Sequence, residues 1–306
     1  MPGTLSPPIF TWSDGNRHLY NWHVEFRSLR RYIESMHLLF YAAVTASLML
    51  IAFAAAMLGI GGGTLFTPLQ IFFGIEMHEA AATSLFLSAM LGLCATFVYH
   101  RAGKIDWALA LVMGGTAAAG GFAGGYLAAF FSDFTLVIIL AASLVIAGAG
   151  MLHPGLGLHQ RICGGEGRHL WRRRTFFEDE YTVNLAVVLP LAFVAGFAAG
   201  LVGIGGGVIN VPILVLLSGV PIDVAVATSS MIVGFTAIFG FAGHLVSGQL
   251  NWTMIFIFSI GVVPGAWLGA RTMLRLDKRR LRLGFGILMF FIAIVLILRQ
   301  LFAGHN

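Results

Sequence analysis

The pentapeptide Gly-Ile-Gly-Gly-Gly occurs twice, at Gly59–Gly63 and Gly203–Gly207, each time inside an apolar run long enough to enter a bilayer. Pro68 and Pro212 follow at the same distance. Next come Ala-Thr-Ser at Ala82–Ser84 and Ala227–Ser229, then Trp107 and Trp252, then the small-xxx-small pairs Gly120/Gly124 and Gly265/Gly269. A backbone this hostile to a continuous helix, placed once in each half, implies two homologous repeats broken at matched positions. In membrane proteins such paired interruptions point to a binding site between the repeats.

The class follows from where charge is missing. The chain is 58% hydrophobic and 10% charged, and Asp, Glu, Lys and Arg are absent from 38–75, 80–100, 107–132, 134–152, 183–222, 224–270 and 283–298. A helix of roughly 20 such residues crosses a bilayer. The stretches 38–75, 183–222 and 224–270 are too long for one crossing. The glycine runs divide the first two, and Ser247–Trp252 divides the third. The expected fold is an all-α polytopic membrane protein with 8–10 membrane segments, in two repeats each carrying a glycine-broken helix or re-entrant hairpin.

Four regions result. Residues 1–37 lack the apolar core of a signal peptide, and Leu19, Trp22, Phe26, Leu29, Ile33 and Met36 recur at helical spacing. They read as an amphipathic helix lying in the headgroup region. Repeat 1 is 38–152 and repeat 2 is 183–306. Between them, 153–182 carries Arg161, Arg168 and Arg172–Arg174 and reads as a basic cytoplasmic linker. If each break turns the chain back, the repeats are inverted and 13 Lys and Arg fall inside against 5 outside. A parallel arrangement leaves the six basic residues of 271–282 outside. The inverted arrangement is the better fit to the positive-inside rule.

Non-helical backbone survives at membrane depth only when buried in protein or lining a wet cavity. Glycine reaches the positive φ a tight break needs and leaves no side chain between backbone and ligand. A new helix is expected from Thr64 and from Val208, with Pro68 and Pro212 near its first turn, where a missing N–H costs least. Helix starts offer free N–H donors and partial positive charge, which suit anions. With no carboxylate or charged base in any span, a carboxylate cation cage has nothing to be built from. The candidate substrate-binding residues are therefore Gly61, Gly62, Gly63, Thr64, Thr67, Thr83, Ser84, Gly205, Gly206, Gly207, Asn210, Thr228 and Ser229. Gly59, Pro68, Gly203 and Pro212 shape the breaks. Asn210 stands where repeat 1 has Phe66, and an amide in lipid requires a partner. The plainer alternatives are glycines that only permit close helix packing and hydroxyls that bond back to their own helical turn.

The doubled Gly-Ile-Gly-Gly-Gly-x-x-x-x-Pro, each copy followed by Ala-Thr-Ser and then Gly-x-(Ile/Leu)-(Asp/Asn)-Trp (Gly103–Trp107 and Gly248–Trp252), resembles the TauE/SafE family of sulfite exporters over about 45–300. The resemblance implies a secondary transporter of sulfite, an organosulfonate or a related small sulfur-containing anion. Such a protein would be multi-pass in the bacterial cytoplasmic (inner) membrane. It implies no enzyme activity, cofactor, metal or nucleic-acid partner. Tyr99 aligns with His244, and His100 with Leu245, so neither histidine carries over as a family residue.

Other constellations point less far. His153, His159, Cys163 and His169 have no standard zinc spacing. Glu76, His78, Glu79 and Asp223 read as solvated turn residues, or as an outer gate. The glycine pairs could pack helices within one chain or across a homodimer. The same scaffold could also serve an anion channel or a membrane-embedded assembly protein with a recruiting linker.

Overall fold

The computed structural model describes residues 41–132, 171–176, 179–246 and 251–277, with isolated positions within 135–142 and 279–287. By its contacts the chain divides into residues 1–43 and 44–306. Of the first unit only Tyr41–Ala43 are described, and the packing below concerns the second. The amphipathic segment 1–37, most of the spans 134–152 and 283–298, and the linker histidines with Cys163 lie outside the described residues.

Among the described residues, six helices are long and apolar enough to cross a membrane: α1 (Tyr41–Leu58), α3 (Met77–Arg101), α4 (Trp107–Leu127, running on as a 3-10 turn to Phe130), α5 (Leu185–Val202), α7 (Ile222–Leu245) and α8 (Trp252–Met273). Two short helices follow the breaks, α2 (Gly63–Phe72) and α6 (Gly207–Pro212), the latter continuing as a π turn over Ile213–Leu217. At about 1.5 Å per residue, α2 covers only half a bilayer. The new helices start one residue earlier than Thr64 and Val208, because Gly62 and Gly206 serve as the N-caps. Pro68 lies in the body of α2, beyond its first turn, and Pro212 ends α6. There the missing N–H releases the backbone into the wider π turn.

Polarity is arranged inside out. Leu50, Phe72, Phe130, Phe256 and Ile260 are more than 60% exposed, while Thr64, Thr67, Gln70, Ser84, Ser88, Asn210, Thr228 and Ser229 are wholly buried. Water would reject that distribution and a hydrocarbon solvent selects it.

The glycine pairs pack helices within the chain. A Cβ at Gly120 or Gly124 would collide with the carbonyls of Phe193 and Phe197 on α5, and one at Gly265 or Gly269 with those of Met49 and Phe53 on α1. Thus α4, from the first half, runs parallel to α5 of the second, and α8 returns the arrangement against α1. The helices α3 and α7 cross antiparallel. Leu85 lies against Gly240, Gly92 against Ser230 and Gly234, and Lys104 Nζ pairs with Asp223 Oδ2 at 2.9 Å. The turn residue Asp223 is therefore in an ion pair rather than simply solvated.

The Asp/Asn before each tryptophan has a structural reason. Asp106 Oδ1 accepts from Leu109 N at 3.1 Å and Asn251 Oδ1 from Met254 N at 3.3 Å, so both are N-caps. Asp106 also binds a feature the helical pattern did not indicate, an antiparallel hairpin of β1 (Trp171–Phe176) and β2 (Asp179–Asn184) within the linker. Tyr181 Oη donates to Asp106 Oδ2 at 2.7 Å, and Tyr181 and Val183 pack with Leu109 and Met113. Asp106→Ala should lower stability by about 1–3 kcal/mol, from a lost cap and a stranded phenol. The denaturation midpoint in detergent checks this, and an unchanged midpoint would contradict it.

The hairpin, Arg101 and Lys104 share one end of the bundle. Arg271 joins them, because α8 parallels α1 and the end of α1 meets the end of α3 through Tyr99 Oη and the Ala56 carbonyl, 2.7 Å apart. Arg101 and Arg271 each lie over an aromatic ring one turn back, Phe97 at 4.3 Å and Trp267 at 3.5 Å. Cations held over rings at helix ends suit a membrane interface.

Candidate functional site

Each break begins with a helix that stops tightly. Gly203, at φ +83°, closes α5 with its N–H and that of Ile204 both on the Ala199 carbonyl at 2.9 Å. After α1, the N–H groups of Gly59 and Ile60 return to Ala56 and Ala55 at 3.3 and 3.2 Å. This is the left-handed C-terminal cap that glycine permits. Two side chains take up carbonyls in these last turns: Tyr99 Oη donates to Ala56 O, and His244 Nε2 lies 3.0 Å from Gly200 O.

The breaks pack against each other reciprocally. A Cβ at Gly63 would collide with the Gly203 carbonyl, and one at Gly207 with the Ile60 carbonyl group. Gly59 is seated on Val226 of α7 and Gly203 on Ala81 of α3, each leaving 2.6 Å between a would-be Cβ and the facing carbonyl oxygen. Gly63, Thr64, Gly207 and Val208 therefore open their helices close together, with N–H groups that have no intrahelical acceptor.

The polar side chains fall into two groups. Several are engaged within the protein. Thr64 Oγ1 donates to Gly61 O at 3.3 Å and Thr67 Oγ1 to Val202 O at 3.5 Å. Ser84 Oγ accepts from Gln70 Nε2 at 2.8 Å, Thr228 Oγ1 accepts from Asp106 N at 3.2 Å, and Ser229 Oγ donates to Gly59 O at 2.9 Å. The second group is buried with no hydrogen-bond partner among the described residues: both amide atoms of Asn210, the hydroxyls of Thr83 and Ser88, and Oε1 of Gln70. An unsatisfied buried amide costs about 1–3 kcal/mol, so its retention calls for a reason.

These groups are not shared equally between the breaks. At the first, the ring of Phe66 covers Gly62 and the Val233 methyls face Gly61. At the second, Asn210 Nδ2 would lie 3.3 Å from a Cβ on Gly206, and Ser88 Oγ 3.4 Å from one on Gly205. The nearest side chains at Gly61 and Gly62 are apolar, whereas at the second break Val233 Cγ1 shares the wall with the uncharged polar groups of Ser88 and Asn210. Ser88 and Gln70 are absent from the sequence-derived candidates. Ser88 stands one helical turn beyond Ser84, a spacing that puts both on one face of α3, and Gln70 is an amide in a charge-free stretch.

Long apolar helices around two facing, glycine-broken segments define a multi-pass membrane protein with a buried, uncharged polar centre. The family model described as "Sulfite exporter TauE/SafE" matches residues 44–296. The chain belongs to the TauE/SafE family, and it is a membrane transporter of a family that is not an enzyme family. It is 28% identical over 229 residues to "Probable membrane transporter protein YunE" of Bacillus subtilis, covering 71% of this chain and 81% of that one. It is 25% identical over 255 residues to a "Probable membrane transporter protein" of Xylella fastidiosa, covering 82% and 92%. A shorter stretch of 70 residues is 39% identical to "Sulfite exporter TauE/SafE family protein 6" of Arabidopsis thaliana, covering 23% and 16%. No solved structure matches the chain.

Proposed function

We propose that the protein is a secondary transporter that exports a small sulfur-containing anion, such as sulfite or an organosulfonate, across the bacterial cytoplasmic membrane. The anion is held at the second break, between Gly205–Val208, Asn210 and Ser88, with the first break closing over it. The observation that carries this reading is the set of unpartnered, uncharged polar groups beside two facing helix starts, with Asn210 Nδ2 and the Thr83 and Ser88 hydroxyls as its donors. An anion gains from those donors and from helix-start charge, which opposes a cation even beside the acceptor oxygens of Asn210 and Gln70. The family's description as sulfite exporters supports the substrate class, and the relatives named only as probable membrane transporters support transport.

Movement follows from the architecture. If α3 and α7 are equivalent helices, their antiparallel crossing makes the halves inverted. The matched glycine contacts of α4 on α5 and α8 on α1 support the same relation. Grouping Arg101, Lys104, Arg271 and the hairpin at one end makes that end cytoplasmic under the positive-inside rule. Rocking of one half against the other then exposes the breaks to each side in turn.

Flux of sulfite, thiosulfate, sulfoacetate and chloride in proteoliposomes, with and without a pH gradient, tests the reading. Saturable flux of a sulfur oxyanion is expected, diminished in the Gly62→Ala/Gly206→Ala double variant. Silence for all four anions from folded protein would reject it.

A further inference from the structure

One face of α2 is polar along its length. Thr64, Thr67 and Gln70 follow at intervals of three, a spacing that sets them on one side of a helix, and all are wholly buried. Gln70 meets Ser84 of α3 at 2.8 Å, and Thr67 reaches the carbonyl of Val202, the last residue of α5. Ser88, one turn on from Ser84, faces Gly205. A buried polar seam thus runs from the second break, between α2 and α3, toward the turn 74–78, where Glu76 and His78 are exposed. Ser84 belongs to the half of α3 that begins at Met77, so the seam lies away from Arg101 and the hairpin.

The matching positions after the second pentapeptide are apolar. Val208, Val211 and Leu214 stand where α2 has its polar face, and Val233 stands where α3 has Ser88. Leu214 packs with Val220 and with Tyr181 and Val183 of the hairpin in an apolar core. Polar side chains are thus not needed to seat a short helix after a break. Turned either way, the Gln70 amide bonds Ser84 with one end and leaves the other without a partner among the described residues, as is Ser88 Oγ. Such groups are a standing cost while the seam is shut, and they are satisfied once water or an anion enters it.

We propose that the α2–α3 seam opens to water on the outer side and is the route by which the anion leaves the second break, with Gln70 the side chain that receives it on the way. The proposal rests on the transporter reading given above. A neutral amide and hydroxyl replace part of the anion's hydration without the hold that Lys or Arg would exert, so the anion can enter and still leave. The turn between α2 and α3 has room to move, since an added Cβ at Gly74 would meet nothing within 4 Å and Phe72 is 76% exposed.

Cysteine accessibility in the full chain tests the route. With Cys94 and Cys163 replaced by alanine, single thiols are introduced by Gln70→Cys and Ser84→Cys in the seam, and by Leu214→Cys and Ser229→Cys at the matching positions. A membrane-impermeant methanethiosulfonate bearing a sulfonate is added outside intact spheroplasts, and each thiol is titrated again after denaturation. The seam thiols should react at least roughly tenfold faster than the other two, because thiol reactivity follows exposure. Flux in Gln70→Leu should fall roughly tenfold with the denaturation midpoint little changed, the loss of one hydrogen bond to a charged group. Seam thiols that react no faster than those at 214 and 229 overturn the proposal while leaving a transporter. So does a Gln70→Leu variant that loses stability but keeps its flux. Faster labelling of the seam in a protein that moves none of the anions supports the hydrated seam and removes the transporter reading instead.

Discussion

Replacing Asn210 by leucine is expected to leave the protein folded and no less stable while removing saturable anion flux. The two amide atoms of Asn210 are fully buried and unpartnered. A structural amide loses its hydrogen bonds on truncation, but this one has none among the described residues to lose. Leucine has the same branched shape and number of side-chain heavy atoms, slightly bulkier, and no desolvation cost, so the denaturation midpoint should stay or rise, by up to about 2 kcal/mol in stability. Flux should fall roughly 10- to 100-fold, since hydrogen bonds to charged groups contribute about 1.5–3 kcal/mol. Stability and transport measured on one preparation decide the matter. A marked fall in stability would mean that the amide has a structural partner, and the site would have to be placed elsewhere.

Gly203→Ala should be far more damaging than Gly74→Ala, although both glycines have positive φ, +83° and +87°. The left-handed conformation alone costs a residue with a Cβ about 1–2 kcal/mol. At Gly74 nothing lies within 4 Å of an added Cβ, so that strain is the whole expected effect. At Gly203 the Cβ would also sit 2.6 Å from both the Cα and the carbonyl oxygen of Ala81. Backbone cannot rotate aside, and forced packing adds about 1–3 kcal/mol. Gly203→Ala should therefore cost about 2–5 kcal/mol in a midpoint comparison, against about 1–2 for Gly74→Ala. Equal losses would show that the second break is not wedged against α3, and the reciprocal packing of the two breaks would lose its support.

Some of this was written in local sequence. A glycine's access to positive φ, a proline's missing N–H and an uncharged run of 20 residues act within a few positions of themselves. The breaks at Gly59–Gly62 and Gly203–Gly206, the division at Trp252 and the helix starts, within one residue, were readable for that reason. So was the family, because its motif is a set of fixed spacings.

What a hydroxyl or amide does at the centre was not readable, because it depends on which helix lies opposite. Thr228 and Ser229 sit in the same triplet as Thr83 and Ser84, yet Thr228 receives the Asp106 N–H while Thr83 has no partner. Only the antiparallel crossing of α3 and α7 puts Ser88 beside Gly205 and its counterpart Val233 beside Gly61. Val233 also reaches Gly205, so the crossing gives the second break polar neighbours without removing its apolar wall. The linker hairpin was not readable either, since its ties to the bundle are tertiary: Tyr181 bonds Asp106, 75 residues away in the chain, and Tyr181 and Val183 pack with Leu109 and Met113. Sequence determined where the backbone must break, since φ is a property of the residue itself. Tertiary structure decided which polar atoms the break leaves for a ligand, since a donor is free only after every neighbour has been placed.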